Sequence, residues 1–198
     1  MFSAFLEGGK AGFITVLYSV GSKPLEIWSK HIDTSGGGSL DRATDEDIQR
    51  GTVIELKGSN VSTNYICCPP ENLRRSLGVT MPFLNLIVKN LSKDFSFEIV
   101  VLDDSGVRRR FRASNYTTTT RVRPFICSVP MKLDEGWNMV ILNLSDFVKR
   151  AYGTNYTQTE QLQLHANCRV RRIYFSDRLY SDEELPSDFQ LFLNTKKR

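Results

Sequence analysis

This chain has little of what enzyme chemistry usually draws on. Its 198 residues include only two histidines, His31 and His165, and no phosphate-binding loop, nucleophile elbow, HExxH or dinucleotide fingerprint. Cysteine is scarce: Cys67 and Cys68 are adjacent, while Cys127 and Cys168 stand far from them and from each other. No CxxC or Cys/His ligand spacing results, so neither a metal nor a cofactor is expected. The four thiols read as reduced and mostly buried. His165 and Cys168 fail as base and nucleophile, because positions i and i+3 of a strand face opposite ways. Asp103-Asp104 and Glu183-Glu184 read as solvated turn residues, not catalytic dyads. The chain is therefore not expected to be an enzyme.

Long apolar runs are missing too. None approaches the ~18 residues of a membrane helix, and the N-terminus lacks a basic start, an apolar core and a cleavage site. No membrane partner is expected, and the cytosol is the expected compartment. The five Asn-x-Ser/Thr sequons, beginning at Asn60, Asn90, Asn115, Asn143 and Asn155, are then coincidental. Charge excess is small, at net +4, too little by itself to announce a nucleic-acid protein. Ordinary composition at this length predicts a single domain over residues 1–193, with 194–198 a basic tail.

What the chain does have is arginine concentrated on one stretch. Residues 97–102 and 107–113 are rich in β-branched and aromatic side chains, and Asp103-Asp104-Ser105-Gly106 between them is turn chemistry. This predicts a β-hairpin. Alternation sets Val107, Arg109, Phe111 and Ala113 on one face of the return strand, and Arg108, Arg110 and Arg112 on the other. Three guanidiniums about 6.6 Å apart form a stripe roughly 13 Å long, which slightly opposes folding. A solvated strand with Asp103, Asp104 and Glu98 as partners explains such a stripe equally well. Continuation decides between the two. Arg121 and Arg123 follow Tyr116 and four threonines, so residues 103–127 hold six Arg against two Asp. That local +4 equals the net charge of the whole chain, and a docking face for an acidic partner is the stronger reading.

Taken in order, residues 12–20 and 25–28 read as two strands, and 33–41 as a glycine-rich loop. Thr44 is the expected cap of a helical turn over 45–48. Residues 53–56 and 63–67 flank turn chemistry and are expected to pair as a hairpin. Residues 83–90 and 137–142 are further strands. One helix is expected over 145–152, with Ser145 as N-cap and Gly153 as its stop. From Leu162, strict alternation predicts one strand with Leu162, Leu164, Ala166, Cys168 and Val170 inward and Gln163, His165, Asn167, Arg169 and Arg171 outward. A β-bulge at Arg171-Arg172 then returns Ile173 and Phe175 to the core. Residues 189–193 read as a last strand.

Many short strands and one helix predict an all-β class, an antiparallel sandwich of jelly-roll type. Parallel βαβ architecture would require crossover helices that are missing. A second basic cluster, Arg169, Arg171, Arg172 and Arg178, is followed at once by Asp182, Glu183, Glu184 and Asp188. Two-signed surfaces of this kind suit a module gripping two unlike neighbours. Two other classes compete. A single-stranded nucleic-acid binder would stack bases on Phe111 and Tyr116, but alternation buries Phe111. A carbohydrate-binding module would require Trp28 and Trp137 exposed and coplanar, whereas Trp in a sandwich is more often core.

Long runs of the chain also carry a resemblance. They are residues 17–28 (LYSVGSKPLEIW), 108–116 (RRRFRASNY), 150–156 (RAYGTNY), and 165–169 with 174–180 (HANCR, YFSDRLY). Together they resemble the small cilia- and flagella-associated family of the doublet-microtubule inner junction, over essentially the whole length. The resemblance implies a jelly-roll like that of carbohydrate-binding modules, without sugar binding or catalysis. It implies a structural role in axoneme and basal body, bridging the edge of the B-tubule to the A-tubule wall and supporting motility. Partners would be tubulin, a protein similar to the parkin co-regulated gene product, and other microtubule inner proteins. Because tubulin is acidic, Arg108, Arg110, Arg112, Arg121 and Arg123 are then expected to face it, with Arg169, Arg171 and Arg172 as a second contact.

Overall fold

The alternating apolar positions fall on two sheets that face one another, described over residues 11–193 of the computed structural model. The strands are β1 (Phe13–Tyr18), β2 (Ser29–His31), β3 (Ser39–Thr44), β4 (Thr52–Lys57), β5 (Tyr65–Cys68), β6 (Phe83–Asn90) and β7 (Ser96–Asp103). They continue as β8 (Arg108–Ser114), β9 (Arg121–Val122), β10 (Ile126–Pro130), β11 (Gly136–Asn143), β12 (Tyr156–His165) and β13 (Cys168–Ser176). The helix α1 (Leu144–Tyr152) lies between β11 and β12. One sheet has the order β11-β6-β13-β4-β3, with β1 also on β13. The other runs β2-β5-β12-β7-β8-β10-β9. Among the described residues every named strand pair is antiparallel except β8 with β10. This is the expected jelly-roll sandwich.

Its core is the set of side chains that each sheet turns inward. Ile54, Leu56, Leu84, Leu86, Val88, Val170, Ile173 and Phe175 meet Ile66, Phe97, Ile99, Val101, Phe111, Leu162 and Leu164. The predicted bulge is present: the register of β13 against β6 shifts between Val170 and Arg172. It restores Ile173 and Phe175 to the inner face after two successive arginines. Both Trp28 and Trp137 are buried, and Trp28 Nε1 donates to the Val16 carbonyl at 2.8 Å. All four cysteines are free thiols in the interior.

Several local expectations give way to long-range pairing. Residues 25–28 form a turn, and the second strand starts only at Ser29. The glycine-rich loop is shorter than expected, since Ser39–Thr44 pairs with β4. Thr44 therefore ends a strand and caps no helix; Asp45 instead bends the chain by accepting the Asp47 amide at 3.0 Å. Residues 53–56 and 63–67 do not form a hairpin, because β4 and β5 belong to opposite sheets. The single strand expected from Leu162 is two strands in different sheets, broken at Ala166-Asn167. There the Asn167 side chain accepts from the Gly58 amide and donates to the Asp94 carbonyl, holding the crossover. The helix cap is Asn143, whose side chain accepts the Asp146 amide at 3.1 Å, so Ser145 already lies in the first turn. Gly153 stops the helix in the left-handed region at φ 71, as predicted. Residues 187–189 make a 3-10 turn in place of a last strand, and the described end of the chain is tied by a single bridge from Leu193 to Ile48. The basic tail lies outside the described residues.

One buried ionic network sets a pH limit on this fold. Asp45 is 1% exposed and accepts from Lys89 Nζ at 2.8 Å and Arg169 Nη1 at 2.7 Å. Burial opposes its charge, but these two partners, the Asp47 amide and Trp137 outweigh it and lower its pKa to about 2. A carboxylate depressed in the folded state stabilises fully above its unfolded pKa and stops doing so as pH falls through the folded one. Asp45 should thus contribute about 2 kcal/mol that disappears between roughly pH 4 and pH 2. Urea unfolding should show the gap between wild type and Asp45→Asn narrowing by about that amount on acidification. A gap that stays constant would show that Asp45 titrates normally in the fold.

Candidate partner-docking face

The seven-stranded sheet turns its outer face to solvent, and cross-strand register brings distant polar residues into rows there. Gln163, Glu98, Arg112, Ser128 and Arg121 are successive neighbours on β12, β7, β8, β10 and β9. Gln161, Val100, Arg110 and Ile126 form the next row. Arg108, one step further along β8, sits opposite Leu102. Arg109 points the other way, as alternation requires. Its Nε meets the buried Asp103 at 2.9 Å and its guanidinium lies 4.2 Å over the Tyr152 ring.

The stripe is not a row of bare cations. Glu98, 3% exposed, forms ion pairs with Arg112 Nη2 at 2.5 Å and with Arg110 Nη1 at 3.2 Å, and Arg108 Nε meets Glu160 at 2.6 Å. The two carboxylates hold the three guanidiniums in place, while the arginine side chains remain 42–64% exposed. The positive excess is therefore displaced to the margins. Arg121 and Arg123 are exposed with no ion pair among the described residues, and so are Arg74 and Arg75 in the loop after β5. Between these margins lies a cleft of about 910 Å³.

The second basic cluster is less of a surface than expected: Arg172 is buried, Arg169 and Arg171 are half-buried, and Arg178 is exposed. Arg169 is clamped by Glu55 and Asp45 at 2.5 and 2.7 Å. Arg171 donates to the carbonyls of Arg50 and Thr52. Arg172 is only 5% exposed, with its guanidinium between the rings of Tyr18 and Phe189 at 3.8 and 4.1 Å. All three lie on or beside β13, in the opposite sheet from the stripe. Within the fold Arg169 and Arg171 tie β13 to Glu55, Asp45, Arg50 and Thr52, and Arg172 ties it to the Phe189 ring.

His165 is likewise corrected. It is 7% exposed, donates from Nδ1 to the Val61 carbonyl at 2.6 Å, and burial lowers its pKa. Asp103 is buried too, at the centre of the β7–β8 turn. Cys67, on the row beside Gln163, has its thiol pushed up to about 12, mainly by burial. Among the described residues no three His, Cys, Asp or Glu are grouped to hold a metal.

A family model described as the CFA20 domain matches residues 5–193. The chain belongs to that family. It is 61% identical over 193 residues to cilia- and flagella-associated protein 20 of Chlamydomonas reinhardtii, covering 98% of this chain and 99% of that protein. The protein of the same name from Paramecium tetraurelia is 59% identical over 194 residues, with the same coverage. That from Caenorhabditis elegans is 54% identical over 184 residues, or 93% of this chain and 88% of that protein. The CFA20 domain is thus a member of a cilium- and flagellum-associated family. Among solved structures it is similar in fold to a family 11 carbohydrate-binding module from Clostridium thermocellum, in complex with a mixed-linked tetrasaccharide. The identity there is 12% and the TM-score 0.45, over 87% of this chain and all of that one.

Part of this CFA20 domain's outer face escaped sequence reasoning. Arg74 and Arg75 sit in a short run after Pro69-Pro70 with no strand pattern to orient them. The adjacent basic pair was the only available signal. Glu160 was equally hidden, because β12 shifts register against β7 between Thr159 and Gln161, and alternation does not reveal which side Glu160 takes.

Proposed function

We propose that this CFA20 domain is a structural, non-catalytic microtubule-associated protein of ciliary and flagellar doublet microtubules. It bridges the B-tubule to the A-tubule at the inner junction, in axoneme and basal body. Its partners there are tubulin, a protein similar to the parkin co-regulated gene product, and other microtubule inner proteins. The observation that carries this reading is the outer face: Arg108, Arg110 and Arg112 braced by carboxylates, with Arg121 and Arg123 beside them making no ion pair among the described residues. Bracing removes part of the ordering cost of long side chains on association. Single exposed pairs contribute only about 0–1 kcal/mol, so tight attachment depends on repetition along a polymer. The buried Trp28 and Trp137 take the aromatic platform away from a carbohydrate reading.

The test is co-sedimentation with microtubules. Reversing the charge of Arg108, Arg110 and Arg112 would crowd carboxylates around buried Glu98, so the margin is the cleaner target. The Arg121→Glu/Arg123→Glu variant should keep its melting temperature and bind at least ~10-fold more weakly, equivalent to ~1.4 kcal/mol. Unchanged binding would remove this face as the contact. Tight RNA binding in a gel shift at the same salt, without binding to microtubules, would overturn the reading.

A further inference from the structure

The cleft beside the arginine row has its own construction. One wall is the loop after β5, which carries Glu71, Arg74 and Arg75. It is pinned by a 3-10 turn at Glu71–Leu73 and by the amides of buried Leu77 and of Gly78, which donate to the carbonyls of Glu160 and Thr159. The other wall is the segment before β10. Its Phe125 carbonyl accepts the Arg110 amide at 2.9 Å, and its Pro124 carbonyl accepts from Arg109 Nη1. Phe125 is nevertheless 69% exposed, the highest value for any large apolar side chain among the described residues. A backbone tied at both ends holds that ring in water. The ring stands at the mouth of a charged cleft, where it offers an apolar contact.

The floor is arginine with donors to spare. Among the described residues Arg108 pairs through Nε with Glu160, and Arg110 through Nη1 with Glu98, while each guanidinium carries five N–H groups. With Arg74 and Arg75 on the wall, four arginines face the cleft against the carboxylates of Glu71 and Glu160, a net +2. A densely charged phosphodiester strand would meet both carboxylates, and it would find one aromatic where a series of stacking platforms is wanted. A peptide fits the mixture better. Its carboxylates suit the arginines, its backbone N–H groups suit Glu71 and Glu160, and one apolar side chain suits Phe125.

We propose that this cleft binds an extended acidic peptide segment of a protein partner, gripped by Arg74, Arg75, Arg108 and Arg110 and capped by an apolar residue against Phe125. The inference rests on reading the outer face as a docking surface, and it names the chemistry that one part of that face recognises.

Fluorescence anisotropy with a labelled glutamate-rich peptide containing one leucine tests it, with oligo-dT as the competing probe. Wild type should bind the peptide, more weakly as salt rises, and in preference to oligo-dT. Arg74→Glu/Arg75→Glu should weaken peptide binding at least ~10-fold. Phe125→Ala, at an exposed site that the core does not use, should weaken it several-fold without changing the melting temperature. Absence of wild-type binding at low salt, tighter binding of oligo-dT, or indifference to both variants would each overturn the inference. Microtubule co-sedimentation of the same proteins separates the two readings. If wild type pellets with microtubules but ignores the peptide, the cleft inference falls and the docking face stands. If wild type binds peptide but not microtubules, the bridging role falls.

Discussion

Replacing Asp103 by alanine should lower the unfolding free energy by about 3–5 kcal/mol, the range for breaking a buried charged pair from one side. The carboxylate is 2% exposed and serves four donors. Its Oδ1 accepts the amides of Ser105 and Val107 at 3.0 and 2.9 Å, closing the turn between β7 and β8. Its Oδ2 accepts Arg109 Nε and Thr154 Oγ1, both at 2.9 Å, which ties the hairpin to the chain following α1. Burial alone would raise its pKa, yet the Val107 amide, Arg109 and Thr154 together lower it. Alanine leaves the Arg109 guanidinium, with a side chain only 14% exposed, without its counter-ion. Asp103→Asn keeps an acceptor for the turn amides and should lose less. Urea denaturation at neutral pH decides: a loss below about 1 kcal/mol for alanine would show that solvent replaces the carboxylate easily.

Phe111→Ala should cost a similar amount, about 3–5 kcal/mol, for a different reason. Phe111 is 1% exposed on the inner face of β8, with ring centroids 5.6 Å from Phe147 and 6.0 Å from Tyr152. With Arg109 over the Tyr152 ring, it is one of the contacts through which α1 rests on the arginine-bearing strand. Truncation removes the transfer free energy of a large ring and leaves a cavity that two sheets and a helix cannot collapse into together. The loss should appear in the urea midpoint and in faster amide exchange across α1. Retained protection of α1 with a loss under about 1.5 kcal/mol would mean that the site repacks.

The elements legible in the sequence are those whose signals are local. The β7–β8 hairpin follows from alternation on both sides of Asp-Asp-Ser-Gly, and α1 from its end-turn charges and its stop at Gly153, although its cap is Asn143 and not Ser145. The bulge before Ile173 is readable because two consecutive arginines cannot both stay on a buried phase. Where the reading failed, the deciding contact lay far along the chain. Nothing between Leu162 and Val170 interrupts the apolar period, so the change of sheet at Ala166-Asn167 is invisible. It is held by Gly58 and Asp94, 109 and 73 residues from Asn167. Arg169 looked like surface charge because its partners Glu55 and Asp45 are 114 and 124 residues away.

By itself, then, the amino-acid order determined the all-β class, the helix, the arginine-bearing strand with its two faces, and the runs shared with a ciliary family. Tertiary structure alone decided which of those charges are available. Opposite charges brought together by strand register pair, so Glu98 offsets part of the charge of Arg110 and Arg112, and Asp45 takes Arg169 into the fold. Arg74, Arg75, Arg121 and Arg123 remain positive because no described carboxylate is carried to them. Whether a charge is spent or offered depends on what the fold sets within about 4 Å of it, and sequence distance does not reveal that.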